Sequence, residues 1–218
     1  MSKRPTETKP TTRQTNRVAR AVQGHQTAAE AIGPIVPGMS LFCITRGQIS
    51  MIDVIRHVIE SAETPVVASV WTWAVGDFEV EAFEYFFREK RIERATMVID
   101  RSAEQRNVDL IDRWRKRYGP DRVKVCLNHA KIGTIEWPGY RVLVRGSMNL
   151  NCNPRFEQFD ISEGDQAFDL VREVETELPV LPRLSSCQEA NEATGTAKAK
   201  ALTLEELKPF GGIKTWQK

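Results

Sequence analysis

The sequence predicts a layered α/β domain over residues 38–182, and three features carry that prediction. From Leu41 onward, short strand-like runs alternate with segments whose apolar residues recur at helical spacing. The run Pro65-Val66-Val67-Ala68-Ser69-Val70-Trp71 is apolar on both faces, as strands covered on both sides tend to be. After residue 128 the rhythm changes to strands in quick succession, roughly 129–136, 140–146 and 156–161.

In chain order, Ile35-Val36-Pro37-Gly38 marks the entry into the folded body, and Leu41-Phe42-Cys43-Ile44-Thr45 reads as a strand closed by Gly47. Ser50 starts a helix, with Asp53 as its capping-box partner. Polar Asp53, Arg56, His57 and Glu60 recur on one side of it, which leaves Ile52, Ile55 and Ile59 for the core. After the Pro65 strand, Asp77 caps a helix that buries Val80, Phe83, Phe86 and Phe87. Thr96-Met97-Val98-Ile99 is the next strand. Val108, Ile111, Trp114 and Tyr118 mark a helix ended by Gly119-Pro120. Val123, Val125 and Leu127 alternate with polar residues in a further strand, and a last helix near residues 165–178 stops at Pro179.

Both flanks have a different composition. Residues 1–37 predict a basic, disordered arm in which Lys3, Arg4, Lys9, Arg13, Arg17 and Arg20 face only Glu7 up to position 20. Such an arm either contacts phosphates through counterion release or simply solubilises the chain. Residues 18–32 within it have some helical character. Residues 183–218 turn to Ser, Glu, Ala, Thr and Lys and predict a flexible tail, with one short helix near 202–207 and an aromatic end at 209–216.

Composition excludes several classes. No run of about 18 apolar residues is present for a membrane span, so no stable membrane association is expected. The polar opening Met-Ser-Lys-Arg lacks the apolar stretch of a secretory signal. Cys43, Cys126, Cys152 and Cys187 show no metal-finger spacing and read as reduced, in a cytoplasmic setting. The net charge is only +2, so bulk charge does not announce a nucleic-acid partner.

Of the three histidines, His25 and His57 read as surface residues, whereas His129 has informative neighbours. In Asn128-His129-Ala130-Lys131 on a strand, His129 and Lys131 project from one face, setting a nucleophile or base beside a fixed cation. In Gly146-Ser147-Met148-Asn149, Ser147 and Asn149 likewise share a face and can donate to phosphate oxygens, with Gly146 letting the backbone pass close to a ligand. Phe156-Glu157-Gln158-Phe159-Asp160 offers carboxylates, one of which can hold the imidazole in a single tautomer.

Together these segments resemble the phospholipase D superfamily, whose signature is H-x-K-x4-D followed by G-S-x-N. His129 and Lys131 match the first block, with Glu136 where the family has Asp, and residues 146–149 match the second outright. The family's downstream N-x-E positions fall on Gln158 and Asp160. The likeness covers roughly residues 40–178. It implies a mixed sheet flanked by helices with one half-site per chain. Catalysis would involve His129, Lys131, Ser147, Asn149, Glu136 and Asp160, and Gly146 would lie against the substrate. It also implies a phosphohistidine intermediate, no cofactor or metal, and a homodimer that completes the site. DNA or RNA is the expected partner, in a phage or mobile-element setting by analogy. A nucleic-acid-binding protein that has lost turnover, or a lipid phosphodiesterase, are the alternatives. The longer Glu136 side chain and the wider spacing to Gly146, with a turn at Trp137-Pro138-Gly139, depart from the family pattern.

Overall fold

The computed structural model describes residues 17–152, 154–182 and 186–195, except for the Cys187 side chain. Eight strands form one sheet: β1 (Arg17–Ala21), β2 (Ser40–Thr45), β3 (Val66–Thr72), β4 (Ile92–Asp100), β5 (Val123–Cys126), β6 (Ile132–Trp137), β7 (Tyr140–Gly146) and β8 (Glu157–Glu163). Their spatial order is β1-β2-β8-β7-β6-β3-β4-β5. The β1/β2, β3/β4 and β4/β5 pairs are parallel, and the four pairs from β2 through β8, β7 and β6 to β3 are antiparallel. The expected mixed sheet with flanking helices is therefore present.

Helices α1 (Ala28–Ile32), α2 (Met51–Ser61), α3 (Asp77–Arg88), α4 (Arg101–Arg106), α5 (Val108–Tyr118), α6 (Gln166–Glu177) and α7 (Cys187–Thr194) connect or follow the strands. The Ser50/Asp53 capping box forms at the start of α2, whose Val54, Ile55, Val58 and Ile59 are fully buried. With Val80 and Phe83 of α3, and Ile111 and Trp114 of α5, they build the main core on one face of the sheet. Strand alternation divides β4 between two layers. Met97 and Ile99 join the main core, whereas Val98 joins Trp71 and Cys126 under Val171 and Leu178 on the opposite face. Burial of the Cys43 and Cys126 thiols pushes both up to about 11, so neither is a thiolate at neutral pH.

The predicted boundary at residue 38 is corrected. Residues 17–21 form an edge strand in register with β2, and Val22, Ala28, Ala31 and Ile32 are buried in the main core. The helix expected across 18–32 is thus a strand followed by a short helix with a Thr27/Glu30 capping box. Arg17 pairs with Asp160 at 2.6 Å, and Arg20 donates to the Ala31 carbonyl at 2.9 Å. Both belong to the folded body, while Lys3, Arg4, Lys9 and Arg13 lie outside the described residues. The tail prediction is also corrected, because α7 seats a fully buried Ala190. The features expected at 202–207 and 209–216 lie outside the described residues. His57, read as a surface residue, is half-buried, with Nε2 2.7 Å from the Gly33 carbonyl oxygen.

Candidate functional site

The carboxyl ends of β3 and β4, the start of β6, the end of β7 and the start of β8 meet at one edge of the sheet. In α/β sheets the crevice beyond the carboxyl ends of parallel strands is where ligands tend to bind.

His129 stands at this edge, but not on a strand. β6 begins only at Ile132, so His129-Ala130-Lys131 belongs to the approach loop, and the strand expected from residue 129 is corrected. The loop is held by polar anchors. Asn128 N–H donates to Asp100 Oδ2 at 3.1 Å. The buried Asn128 amide donates to the Thr72 carbonyl at 3.0 Å and accepts from Ala130 N–H at 2.9 Å. Asp100 also caps α4, accepting from Ser102 N–H at 2.9 Å. Neither Asn128 nor Asp100 was singled out from sequence. Asp100 carried one legible signal, a carboxylate at the end of a predicted strand.

His129 and Lys131 nevertheless meet. Lys131 Nζ lies 3.0 Å from His129 Nδ1 and donates to the His129 carbonyl at 2.6 Å. The Lys131 side chain is buried, which pulls its pKa below that of a free lysine, and the nearby Glu157 charge opposes that pull. An ammonium has no acceptor, so it donates to Nδ1, and the neutral ring then carries its proton on Nε2.

The second motif segment docks beside the first, because Gly146 N–H donates to the Lys131 carbonyl at 3.1 Å. β7 ends at Gly146, yet alternation persists beyond it. Met148 and Leu150 enter the core, while Ser147 and Asn149 turn the other way. Ser147 Oγ donates to the Glu157 carboxylate and accepts from Gln158 N–H at 3.1 Å. Asn149 Oδ1 is buried with no partner among the described residues, and rotating the amide exchanges this acceptor for two donors.

Three site expectations change. Gly146 faces β8 rather than a ligand. A Cβ there would sit 2.3 Å from the Gln158 carbonyl oxygen and 3.0 Å from Phe159 Cα, so the glycine is required by strand packing. Asp160 is not beside His129. It pairs across from Arg145 and is bound by Arg17, whereas Glu157, on the other side of the pleat, faces Lys131 and Ser147. Glu136 is five residues along from Lys131, about 16 Å at strand rise. It pairs with Val67 at the opposite edge and lies 3.8 Å from Arg172.

Two arginine–aromatic pairs also stand at the site. The exposed Trp73 ring lies 6.1 Å from the His129 ring, with the Arg106 guanidinium over it at 5.3 Å. Arg46 lies over the exposed Phe156 ring at 5.3 Å. Among the described residues, no group of three or more His, Cys, Asp or Glu side chains is placed to share a metal ion. No described helix is long and apolar enough to cross a membrane.

No known protein family matches the chain, and no curated protein matches it. Among solved structures it is similar to the polyphosphate kinase of Porphyromonas gingivalis, at 16% identity and a TM-score of 0.46, over 67% of this chain. The chain spans only 27% of that protein's length, and at this distance the likeness concerns the chain path alone.

Proposed function

We propose that the chain is a phosphodiesterase of the phospholipase D kind that acts on nucleic acid. The observation supporting this most strongly is the Gly146–Lys131 backbone hydrogen bond of 3.1 Å, which sets the H-x-K and G-S-x-N segments side by side. The exposed His129 ring then shares one edge with the Lys131 ammonium, the Ser147 hydroxyl and the Asn149 amide. Those are a nucleophile and a set of donors suited to non-bridging phosphate oxygens.

In this reading His129 Nε2 attacks phosphorus. A P–N bond forms as the P–O bond breaks, and the leaving oxygen takes a proton from the partner's His129 in a two-fold dimer. Water then attacks the phosphohistidine, gives its proton back to the partner's His129, and releases the phosphate product from Nε2. Lys131, Ser147 and Asn149 offset charge on the equatorial oxygens throughout. Attack through Nε2 requires the ring proton on Nδ1, so a carboxylate acceptor must replace Lys131 at that nitrogen; Glu157 supports this role by its position.

The resting contact between Lys131 and Nδ1 favours a second reading, a nucleic-acid-binding protein of the same fold without turnover. Cleavage of single- and double-stranded DNA and RNA in EDTA, comparing wild type with His129→Ala, separates the two. Turnover lost in the variant supports the enzyme. Equal, salt-sensitive binding by both proteins with no cleavage supports the binding protein.

A further inference from the structure

Arginine–aromatic pairs stand on both sides of His129 along the same sheet edge. Trp73 follows the last residue of β3, and Arg106 ends the helix that follows β4. Arg46 follows β2, and Phe156 precedes β8, where Thr45 and Glu157 pair. The strand order places β7 and β6 between these pairs, with Ser147 just after β7 and Lys131 just before β6. From β2 to β3 is four strand spacings, roughly 19 Å, which is long enough for a few nucleotides of an extended single strand.

All four side chains are exposed, with Trp73 at 38% and Phe156 at 73%. Neither Arg46 nor Arg106 forms an ion pair with a described carboxylate, so each retains its charge for a phosphate. A large, flat, accessible ring beside a guanidinium matches an unstacked base with its attached phosphate. A base inside a duplex presents only its edges, so it cannot use such a ring. A lipid surface would favour a continuous apolar patch, whereas these rings are separated by the polar side chains of Ser147, Glu157, His129 and Lys131.

We infer that the site takes single-stranded nucleic acid laid across the sheet edge, with Trp73–Arg106 and Phe156–Arg46 as stacking platforms on either side of the scissile phosphate at His129. This rests on the phosphodiesterase reading above and adds the form of substrate to it.

The test is fluorescence anisotropy in a His129→Ala background, so that no probe is cut. The probes are an oligothymidylate, the same length of duplex, and an abasic phosphodiester oligomer of equal length. Trp73→Ala and Phe156→Ala are each expected to weaken oligothymidylate binding about five- to a hundred-fold. Trp73→Phe and Phe156→Tyr keep most of the affinity, and the abasic probe is insensitive to all four changes. Equal losses on the abasic probe, no loss at all, or duplex binding as tight as single-strand binding would overturn the inference. So would dissociation of the protein by Phe156→Ala without a base-dependent loss. If any of these accompanies His129-dependent cleavage by the wild type, the enzyme reading stands and only the platforms fall. If the parent binds no probe and wild type cuts nothing, both fall.

Discussion

Lys131 Nζ approaches both Nδ1 and the carbonyl oxygen of His129, so one buried ammonium fixes the ring and the loop that carries it. Burial holds Lys131 below the value of about 10.4 for a free lysine. Cleavage that needs the charged form falls as pH rises through that lowered value, and therefore fails earlier in the alkaline range than a solvated lysine would allow. Lys131→Arg keeps its charge there and should move the alkaline limb upward. Lys131→Met should lower turnover about 10²–10³-fold at neutral pH. A pH–rate profile of the three proteins checks all of this, and an unchanged alkaline limb in the arginine variant would count against a charged Lys131 at the site.

Gly146→Ala places a methyl group 2.3 Å from the Gln158 carbonyl oxygen, a backbone atom that cannot swing aside. The β7–β8 pair must spread at its site end, at a cost of about 1–3 kcal/mol. Urea unfolding should show a lower midpoint with an unchanged slope. Because the same movement parts Ser147 from Glu157, turnover should fall even where the variant remains folded.

Much of the layout is legible in the residues because local chemistry and tertiary environment agree. Ser50 with Asp53 announces α2, and Asp165 with Pro179 brackets α6, and both helices form as their caps dictate. β1 escapes such reading because it is an edge strand with every residue exposed, whose Arg-Val-Ala-Arg-Ala run has no apolar face to display. Helix α4 is six residues long, too short to show a period. The site divides the same way. The H-x-K and G-S-x-N spacings mark which side chains converge, although His129 reaches Lys131 from a loop and not through strand alternation. Glu136 cannot be separated from the site by spacing alone, because its distance depends on β6 running straight away from Lys131. The pairing of Trp73 with Arg106 joins residues brought together only when β3 and β4 lie side by side.

Glu136 and Glu175 lie in one polar network but should respond differently to mutation. Glu175 is buried; it accepts from Ser69 Oγ and from Trp71 Nε1 at 3.1 Å, and pairs with Arg172 at 2.8 Å. Glu175→Ala strands those donors under α6 and should cost about 3 kcal/mol. Glu136 touches the network only through Arg172 at 3.8 Å and is about one-third exposed. Glu136→Gln should therefore change stability by less than about 1 kcal/mol and leave cleavage intact. Thermal unfolding and turnover of the two variants give the comparison, and a large loss of turnover in Glu136→Gln would reinstate it as a site residue.

If the proposed two-fold dimer completes the site, activity depends on both copies of His129 at once. Sedimentation equilibrium should find twice the chain mass at assay concentrations. Subunit mixing is the sharper measurement. When His129→Ala protein is unfolded and refolded together with wild type, random pairing makes the fraction of intact dimers the square of the wild-type fraction. Turnover should follow that square, because a mixed dimer has a nucleophile but no second imidazole to protonate the leaving oxygen. A linear dependence would mean that each chain acts alone, and the proton would then have to come from a group other than the partner's His129.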